Sequence, residues 1–348
     1  MNLNKTTVAV VDKSGLMTVQ EIPIPVPGEY GALCKMLYGA TCTGTDQHIL
    51  KASLPWFMDY PLVLGHESIG QVIAVGNKVR NLKVGDLVTR VGMREEDCRA
   101  GGLGCGWGGF ASYGVAMDYR AMEADGVDRA KWAGYRVNQV LPPDFDSRAA
   151  TMMITWRETL SFLNRLGVKE GSSVVALGTG SVGLSLVQLS KALGASHIAA
   201  VGGERNAERA KRAGADFCCD YRASDWGKAL SEYKNDFDFV VDSVASRDGV
   251  NIALRSLKSG GICSIYGIVT EPDETPVINP TAARAFTYIP CGYDEAETHE
   301  QVVALVQAKK LDATIWLELD EAYDLTDIHA AFDAIREKRR VKSLVKLS

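Results

Sequence analysis

The sequence predicts an α/β protein of two domains: a doubly wound parallel sheet and an antiparallel, barrel-type domain. Three observations carry this. First, residues 174–183, VVALGTGSVG, form a β-branched apolar run that ends in Gly178-x-Gly180-x-x-Gly183. An apolar helical pattern follows at Leu184, Leu186, Val187, Leu189 and Leu193. Second, strand and helix patterns alternate from there onward, as parallel strands joined by crossover helices require. Third, residues 6–40 alternate apolar and polar positions, broken by Pro23, Pro25, Pro27 and Gly28, as short antiparallel strands do. A chain of 348 residues is long enough for both domains and for a large core without staples.

Composition narrows the class. Hydrophobic residues at 46% and charged residues at 23% are ordinary for a soluble globular enzyme. A net charge of -5 without any basic run argues against a nucleic-acid surface. No apolar run reaches membrane-spanning length, and MNLNKTTVAVVDKSG lacks the design of a signal peptide. Eight cysteines in such a chain read as reduced thiols. A cytoplasmic protein without membrane or nucleic-acid partners is expected.

The strand–turn–helix setting turns the glycine pattern into a dinucleotide-binding, Rossmann-type fingerprint. Gly178 allows the tight turn, Gly180 lets a pyrophosphate approach the backbone, and Gly183 lets helix and strand pack closely. Ser181 and Val182 sit at the helix N-terminus, whose free N–H groups and dipole favour phosphate. The competing reading is a structural glycine turn. The second strand, 197–201, ends at Gly202, where an acid would accept from the adenosine ribose. Its absence removes repulsion against a 2′-phosphate, and nearby Arg205 offers bidentate pairing. Glu204 is the competing ribose acceptor.

Further elements follow in order. A helix is expected over 207–214, with strands at 217–219 and Phe237–Asp242. Ser243 follows at a carboxyl strand end, where ligands sit in such sheets. The strand 260–267 brings Gly267 and Ile268 toward the nicotinamide half. A strand over 286–290, helices over 294–309 and 328–336, and a closing strand over 343–347 complete the chain. Cys218 and Cys219 read as core residues, and His299 and His329 as surface residues. Ser147 is the expected cap of a helix running to Arg165.

Two segments of the first domain can carry chemistry. Cys42, Thr45, Asp46 and His48 crowd into seven positions. They offer a thiolate ligand, a hydroxyl for proton transfer, an orienting carboxylate and an imidazole that passes a proton to solvent. The alternative is a turn with a buried Cys42 and Asp46 capping a helix from about Gln47. The second segment is Gly65-His66-Glu67-x2-Gly70-x5-Gly76-x2-Val79. Here an imidazole and a carboxylate at a strand edge can reach Zn²⁺. The run 101–109, GGLGCGWGG, reads as a surface loop, since no strand precedes it and no helix follows. Residues 119–137 read as a small insertion without a role. Trp56, Trp107 and Trp156 line a substrate site or fill cores.

With these residues in view, the chain resembles the medium-chain, zinc-dependent alcohol and polyol dehydrogenases. The motif from Gly65 to Val79, the strand entry at 109–113, the fingerprint and the segment 332–347 carry the likeness. It implies a GroES-like β-barrel-type catalytic domain at 1–153, a Rossmann domain at 154–290 and a return to the catalytic domain at 291–348. It also implies zinc ligands Cys42, His66 and Glu67, with Asp46 orienting His66. Thr45 starts the proton relay and His48 is its outer member. There are three departures. The segment Cys42-Thr43-Gly44-Thr45-Asp46 has one residue more than the family pattern, so a strict register puts Thr43 at the ligand position and a bulge restores Cys42. A further family ligand falls near Ile154, which cannot bind metal, with Glu158 one turn away. Only Cys98 and Cys105 occupy the region of the structural zinc, so one catalytic zinc and no structural zinc are expected.

Gly202, Arg205 and Tyr221, the last stacking by the adenine, resemble the NADP(H)-dependent secondary alcohol dehydrogenases. NADP is the expected cofactor and NAD its alternative. The implied reaction is hydride exchange between NAD(P) and a small secondary alcohol, polyol or sugar, in a homodimer or homotetramer. The alternatives are a zinc-free enone or quinone reductase and a non-catalytic nucleotide-binding protein.

Overall fold

The structure is a computed structural model and describes residues 4–54, 58–245, 248–269, 276–279, 281 and 284–348. Its contacts divide the chain into two units, Met1–Ile154 with Trp316–Ser348, and Thr155–Ile315.

The second unit is built on six strands, in the order Phe217–Asp220, His197–Gly202, Ser173–Leu177, Phe237–Asp242, Leu257–Ile265, Phe286–Tyr288. Every neighbouring pair is parallel. Numbered along the chain this is a doubly wound sheet, whose order reverses at Ser173–Leu177. That strand is buried at all five residues, as a strand covered on both faces must be. Val175, Ala199, Val240, Leu230 and Cys263 form the core on one face. Cys218 and Cys219 are half-buried and not fully internal, because Phe217–Asp220 is an edge strand.

The second unit keeps residues 291–315, where the sequence reading returns the chain to the first domain at 291. The cause is a buried charge. Arg157, fully buried in the helix Met153–Leu166, pairs with Glu295. The Thr298 hydroxyl donates to the Arg157 carbonyl at 2.8 Å, and Arg165 pairs with Glu297 at 2.9 Å. A buried guanidinium stripped of its carboxylate is strongly unfavourable, so the segment stays where its partners are. His299 belongs to this network: it is buried, with Nδ1 3.3 Å from Arg157 Nη1, and is not a surface residue. His329 is exposed, and its Nε2 lies 2.7 Å from the Met17 carbonyl.

The first unit is mainly antiparallel. Lys5–Val11 pairs with Met17–Pro23, and the long strand Gly31–Ala40 pairs with Glu67–Val75, Tyr113–Met117 and Leu344–Lys346. Met36, Leu64, Phe110 and Phe332 sit in its main core. Residues 119–137 form the helix Tyr119–Ala124 and two short 3-10 turns, with Asp118 capping the helix through the Ala121 N–H at 3.0 Å.

The glycine run 101–109 is not a free surface loop. The N–H groups of Gly104, Gly106 and Gly109 donate to the carbonyls of Pro61, Val63 and Gly65 at 2.9, 2.7 and 2.6 Å. The run is thus sewn to the segment that leads into His66. Trp156 is buried core, and Trp56 lies outside the described residues.

Candidate metal centre and nucleotide site

Strand register builds the metal centre. Ala40 pairs with Glu67 and Leu344 pairs with Ala40, both antiparallel. Continuing past these pairs brings Thr41 and Cys42 beside His66, and Ser343 and Lys342 beside Thr41 and Cys42. The Thr41 N–H donates to the Ser343 carbonyl at 3.0 Å, and the Ser343 N–H to Thr41 Oγ1 at 2.9 Å. Three segments distant in sequence therefore meet at one edge.

The ligand atoms of Cys42, His66 and Glu67 all lie within 4.8 Å of one another, the one such group among the described residues. The cluster closes on Cys42, and the reason lies in Asp46. This fully buried carboxylate accepts from the Cys42 N–H through Oδ2 at 2.8 Å and meets His66 Nδ1 through Oδ1 at 3.1 Å. It draws the loop before the helix Thr45–Leu50 into a turn, which places the thiol opposite the ring. With Nδ1 committed to Asp46, His66 Nε2 is left for a cation, in the carboxylate–histidine arrangement of zinc sites. Burial disfavours the imidazolium, but the charge and hydrogen bond of Asp46, with Cys42, lift the metal-free His66 well above its ordinary value. A cation must displace that proton.

Glu67 divides its two oxygens. Oε2 pairs with the fully buried ammonium of Lys342, which also donates to the Thr41 carbonyl at 3.3 Å. Oε1 lies 4.0 Å from His66 Nε2 and faces the cluster. A thiolate, an imidazole and one carboxylate oxygen would give three protein donors, the number that catalytic zinc takes. With a divalent cation, the charges of Cys42, Glu67, Asp46 and Lys342 balance. The residues present fit zinc. Ile154 is buried and offers no donor, and Glu158 accepts instead from the Tyr266 hydroxyl at 3.2 Å within the second unit.

Thr45 and His48 stand three residues apart on the same helix and so share a face. His48 Nδ1 lies 3.1 Å from Ser53 Oγ, a partner the sequence reading did not single out. No local motif marks Lys342 in the sequence. Trp107 stacks at a tilt against His66, with ring centroids 5.5 Å apart. Both line a cavity of about 240 Å³, together with Arg90, Glu95, Cys105 and Tyr135.

The second unit carries a cavity of about 620 Å³ at the carboxyl end of the sheet. Gly178, Gly180, Gly202 and Tyr221 line it, with Thr179, Gly203, Trp226, Val244 and Asp248 beside them. The fingerprint glycines behave as their spacing demands. Gly178 has a φ of +100°, a Cβ on Gly183 would lie 2.0 Å from the Gly178 carbonyl oxygen, and Gly180 faces open space. The helix Ser181–Ala192 starts directly after it and carries Ser181 and Val182 in its first turn. At Gly202 a Cβ would lie 2.0 Å from Thr179 Oγ1, so no acid fits there.

Other expected cofactor residues stand elsewhere. The Ser243 hydroxyl donates to the Leu177 carbonyl at 2.6 Å, and its neighbour Val244 faces the cavity. Gly267 packs on Val244 and Ala245, Ile268 is exposed, and Arg205 is exposed on the turn Glu204–Asn206. None of these lines the cavity. Arg222 escaped the sequence reading. Its guanidinium would lie 3.7 Å from a Cβ on Gly203 and stacks over the Tyr221 ring at 5.7 Å. It pairs at 2.8 Å with Asp220, the register partner of Gly202. The pairing holds the Asp220 carboxyl at about 2.

A doubly wound dinucleotide unit and a barrel-type unit whose Cys42, His66 and Glu67 could hold a metal ion point to a zinc-type, nicotinamide-dependent dehydrogenase. The comparisons agree. Residues 28–126 match the alcohol dehydrogenase GroES-like domain, and residues 181–308 match the zinc-binding dehydrogenase model. The chain belongs to the zinc-dependent medium-chain dehydrogenases. It is 29% identical to D-arabinitol dehydrogenase 1 of Uromyces fabae over 75% of each chain. It is 24% identical to the sorbitol dehydrogenase of Halalkalibacterium halodurans over 98% of each chain. Its fold matches benzyl alcohol dehydrogenase from Acinetobacter calcoaceticus with a TM-score of 0.80 at 20% identity, covering 99% of this chain and 100% of that one. No helix among the described residues is long and apolar enough to cross a membrane.

Proposed function

We propose that the protein exchanges a hydride between a small secondary alcohol, polyol or sugar and NADP, at one zinc held by Cys42, His66 and Glu67. One observation carries the reading: three ligand atoms within 4.8 Å of one another, with the far imidazole nitrogen already committed to Asp46. When bound, zinc supplies Lewis-acid stabilisation of the substrate oxygen and the nicotinamide ring exchanges the hydride.

The chain's own residues do the rest. Asp46 fixes the His66 ring and the Cys42 backbone, and Lys342 holds one oxygen of Glu67 so that the other faces the ion. Thr45 takes the hydroxyl proton, and His48 with Ser53 passes it outward. The polar walls contributed by Arg90, Glu95 and Tyr135 suit a hydroxylated substrate. The names of the arabinitol and sorbitol relatives support the same class. Thr179 filling the place of an acid at Gly202, with Tyr221, Arg222 and the exposed Arg205 nearby, supports NADP over NAD. A cytoplasmic homodimer or homotetramer completes the reading.

The test is a metal assay on protein purified without chelator, beside an alcohol and polyol screen with both cofactors. About one equivalent of zinc and turnover with NADP are expected; below about half an equivalent, the zinc reading fails. His66→Ala should abolish turnover and leave cofactor binding nearly intact.

A further inference from the structure

Cys98 and Cys105 take no part in the metal centre or the nucleotide cavity. Cys98 lies in the helix Glu95–Ala100 and is fully buried; Cys105 ends the strand Gly104–Cys105 and is half-buried. Both pack on one small apolar cluster, with Val10, Val63, Met93 and Ala111. The turn between them is closed by the Gly101 and Leu103 N–H groups, which donate to the Cys98 carbonyl at 2.9 and 3.0 Å. That turn sets Cys105 against the cluster that holds Cys98, close enough for each thiol to shift the ionisation of the other.

Their environments differ. Cys105 reaches space on two sides. It lines the cavity of about 240 Å³ that holds His66 and Trp107, and a second of about 410 Å³ lined by Asp59, Glu95 and Arg99. Cys98 reaches neither. The neighbouring Cys98 thiol and, less strongly, the Trp107 N–H hold the Cys105 thiol below its ordinary value against burial, while that thiol donates to the Met93 carbonyl at 3.3 Å. The neighbouring Cys105 and burial push the Cys98 thiol up. One sulfur is open to a reagent and the more easily ionised of the two, and the other waits behind it.

We propose that Cys98 and Cys105 are a dithiol–disulfide modification site that reacts with low-molecular-weight disulfides. The Cys105 thiolate attacks one sulfur of R–S–S–R, forming a mixed disulfide and expelling one RS⁻. Cys98 then loses its proton and attacks the Cys105 sulfur, which forms the Cys98–Cys105 bond and expels the second RS⁻. Two electrons pass from the protein dithiol to the reagent, and the two thiol protons leave with two RSH. The closed bridge ties the wall behind Trp107 to the helix Glu95–Ala100.

The sequence provides a direct assay. Trypsin cuts after Arg94, Arg99 and Arg120, so Cys98 leaves in the peptide 95–99 and Cys105 in the peptide 100–120. The reduced full-length protein is treated with oxidised glutathione, blocked with an alkylating agent, digested and mapped by mass spectrometry. The proposal expects the two peptides joined, and separated again by dithiothreitol. In Cys98→Ser the reaction stops at a glutathione adduct on Cys105. In Cys105→Ser neither adduct nor joined peptides form in this region. A wild-type map with glutathione on Cys105 and no joined peptides overturns the proposal, and so does wild-type protein unreacted at both residues. The wild-type map decides even where a variant fails to fold.

Discussion

Lys342 and Glu67 form an ion pair buried on both sides, across 275 residues of sequence. The pair ties the C-terminal strand to the metal-centre segment and neutralises a carboxylate that burial would otherwise penalise. Removing one partner leaves an uncompensated charge, so Lys342→Met should destabilise the protein by roughly 3–5 kcal/mol. Denaturant unfolding measures this. Adding Glu67→Gln to Lys342→Met should recover part of the loss, since the stranded charge is then gone. Equal stability of the single and double variants would contradict the pairing.

Asp46 links Cys42 and His66, two of the three proposed metal ligands, through one carboxylate. Asp46→Ala frees the His66 ring to rotate and releases the Cys42 backbone. Zinc affinity should fall about 10- to 100-fold, as it does when such orienting carboxylates are lost. Competition against a chromogenic chelator reads this directly, without any assay of turnover.

At the nucleotide cavity, Arg222 is expected to read the 2′-phosphate. Arg222→Ala removes a charge-assisted contact worth about 1.5–3 kcal/mol and exposes the negative charge of Asp220. Binding of NADP should weaken by roughly 10- to 100-fold while NAD binding changes little. Gly202→Asp, the obvious change toward NAD, should instead weaken both cofactors. Its Cβ would lie 2.0 Å from Thr179 Oγ1, so it displaces a residue that lines the cavity. Fluorescence titration with the two cofactors separates these outcomes.

What the sequence made legible follows from the range of each interaction. The fingerprint could be read because Gly178, Gly180 and Gly183 act within one turn, on neighbours within a few residues. His66-Glu67 could be read because the whole motif is contiguous. Cys42 could be chosen over Thr43 only through the resemblance and a bulge, because the choice depends on the Ala40–Glu67 register and on Asp46 reaching back to the Cys42 N–H. Lys342 was invisible: alone it looks like any C-terminal lysine, and only the sheet brings it to Glu67. Arg222 was hidden likewise, since its place beside Gly203 follows from the pairing of two strands. Residues 291–315 were misplaced because the buried Arg157–Glu295 pair leaves no local signal.

Asp118 predicts how stability responds to acid. Burial would raise its carboxyl, but the N–H groups of Arg80 and Asn81, the Asn81 amide and the Ala121 N–H outweigh burial and hold it below its ordinary 3.8. The Arg80 and Asn81 N–H groups donate to Oδ2, each at 2.7 Å. Ala121 N–H and Asn81 Nδ2 donate to Oδ1 at 3.0 and 2.9 Å. Because the folded value is depressed, the carboxylate contributes stability above 3.8 and loses it as pH falls through the folded value. Asp118→Asn keeps one carbonyl acceptor and turns the other oxygen into a donor facing N–H groups. It should cost about 1–3 kcal/mol at neutral pH. The difference from wild type should shrink once the pH drops below 3.8, where the wild-type carboxyl itself takes up a proton. Denaturant midpoints of both proteins across the acid range test this, and a difference that grows toward low pH would reverse the assigned sign.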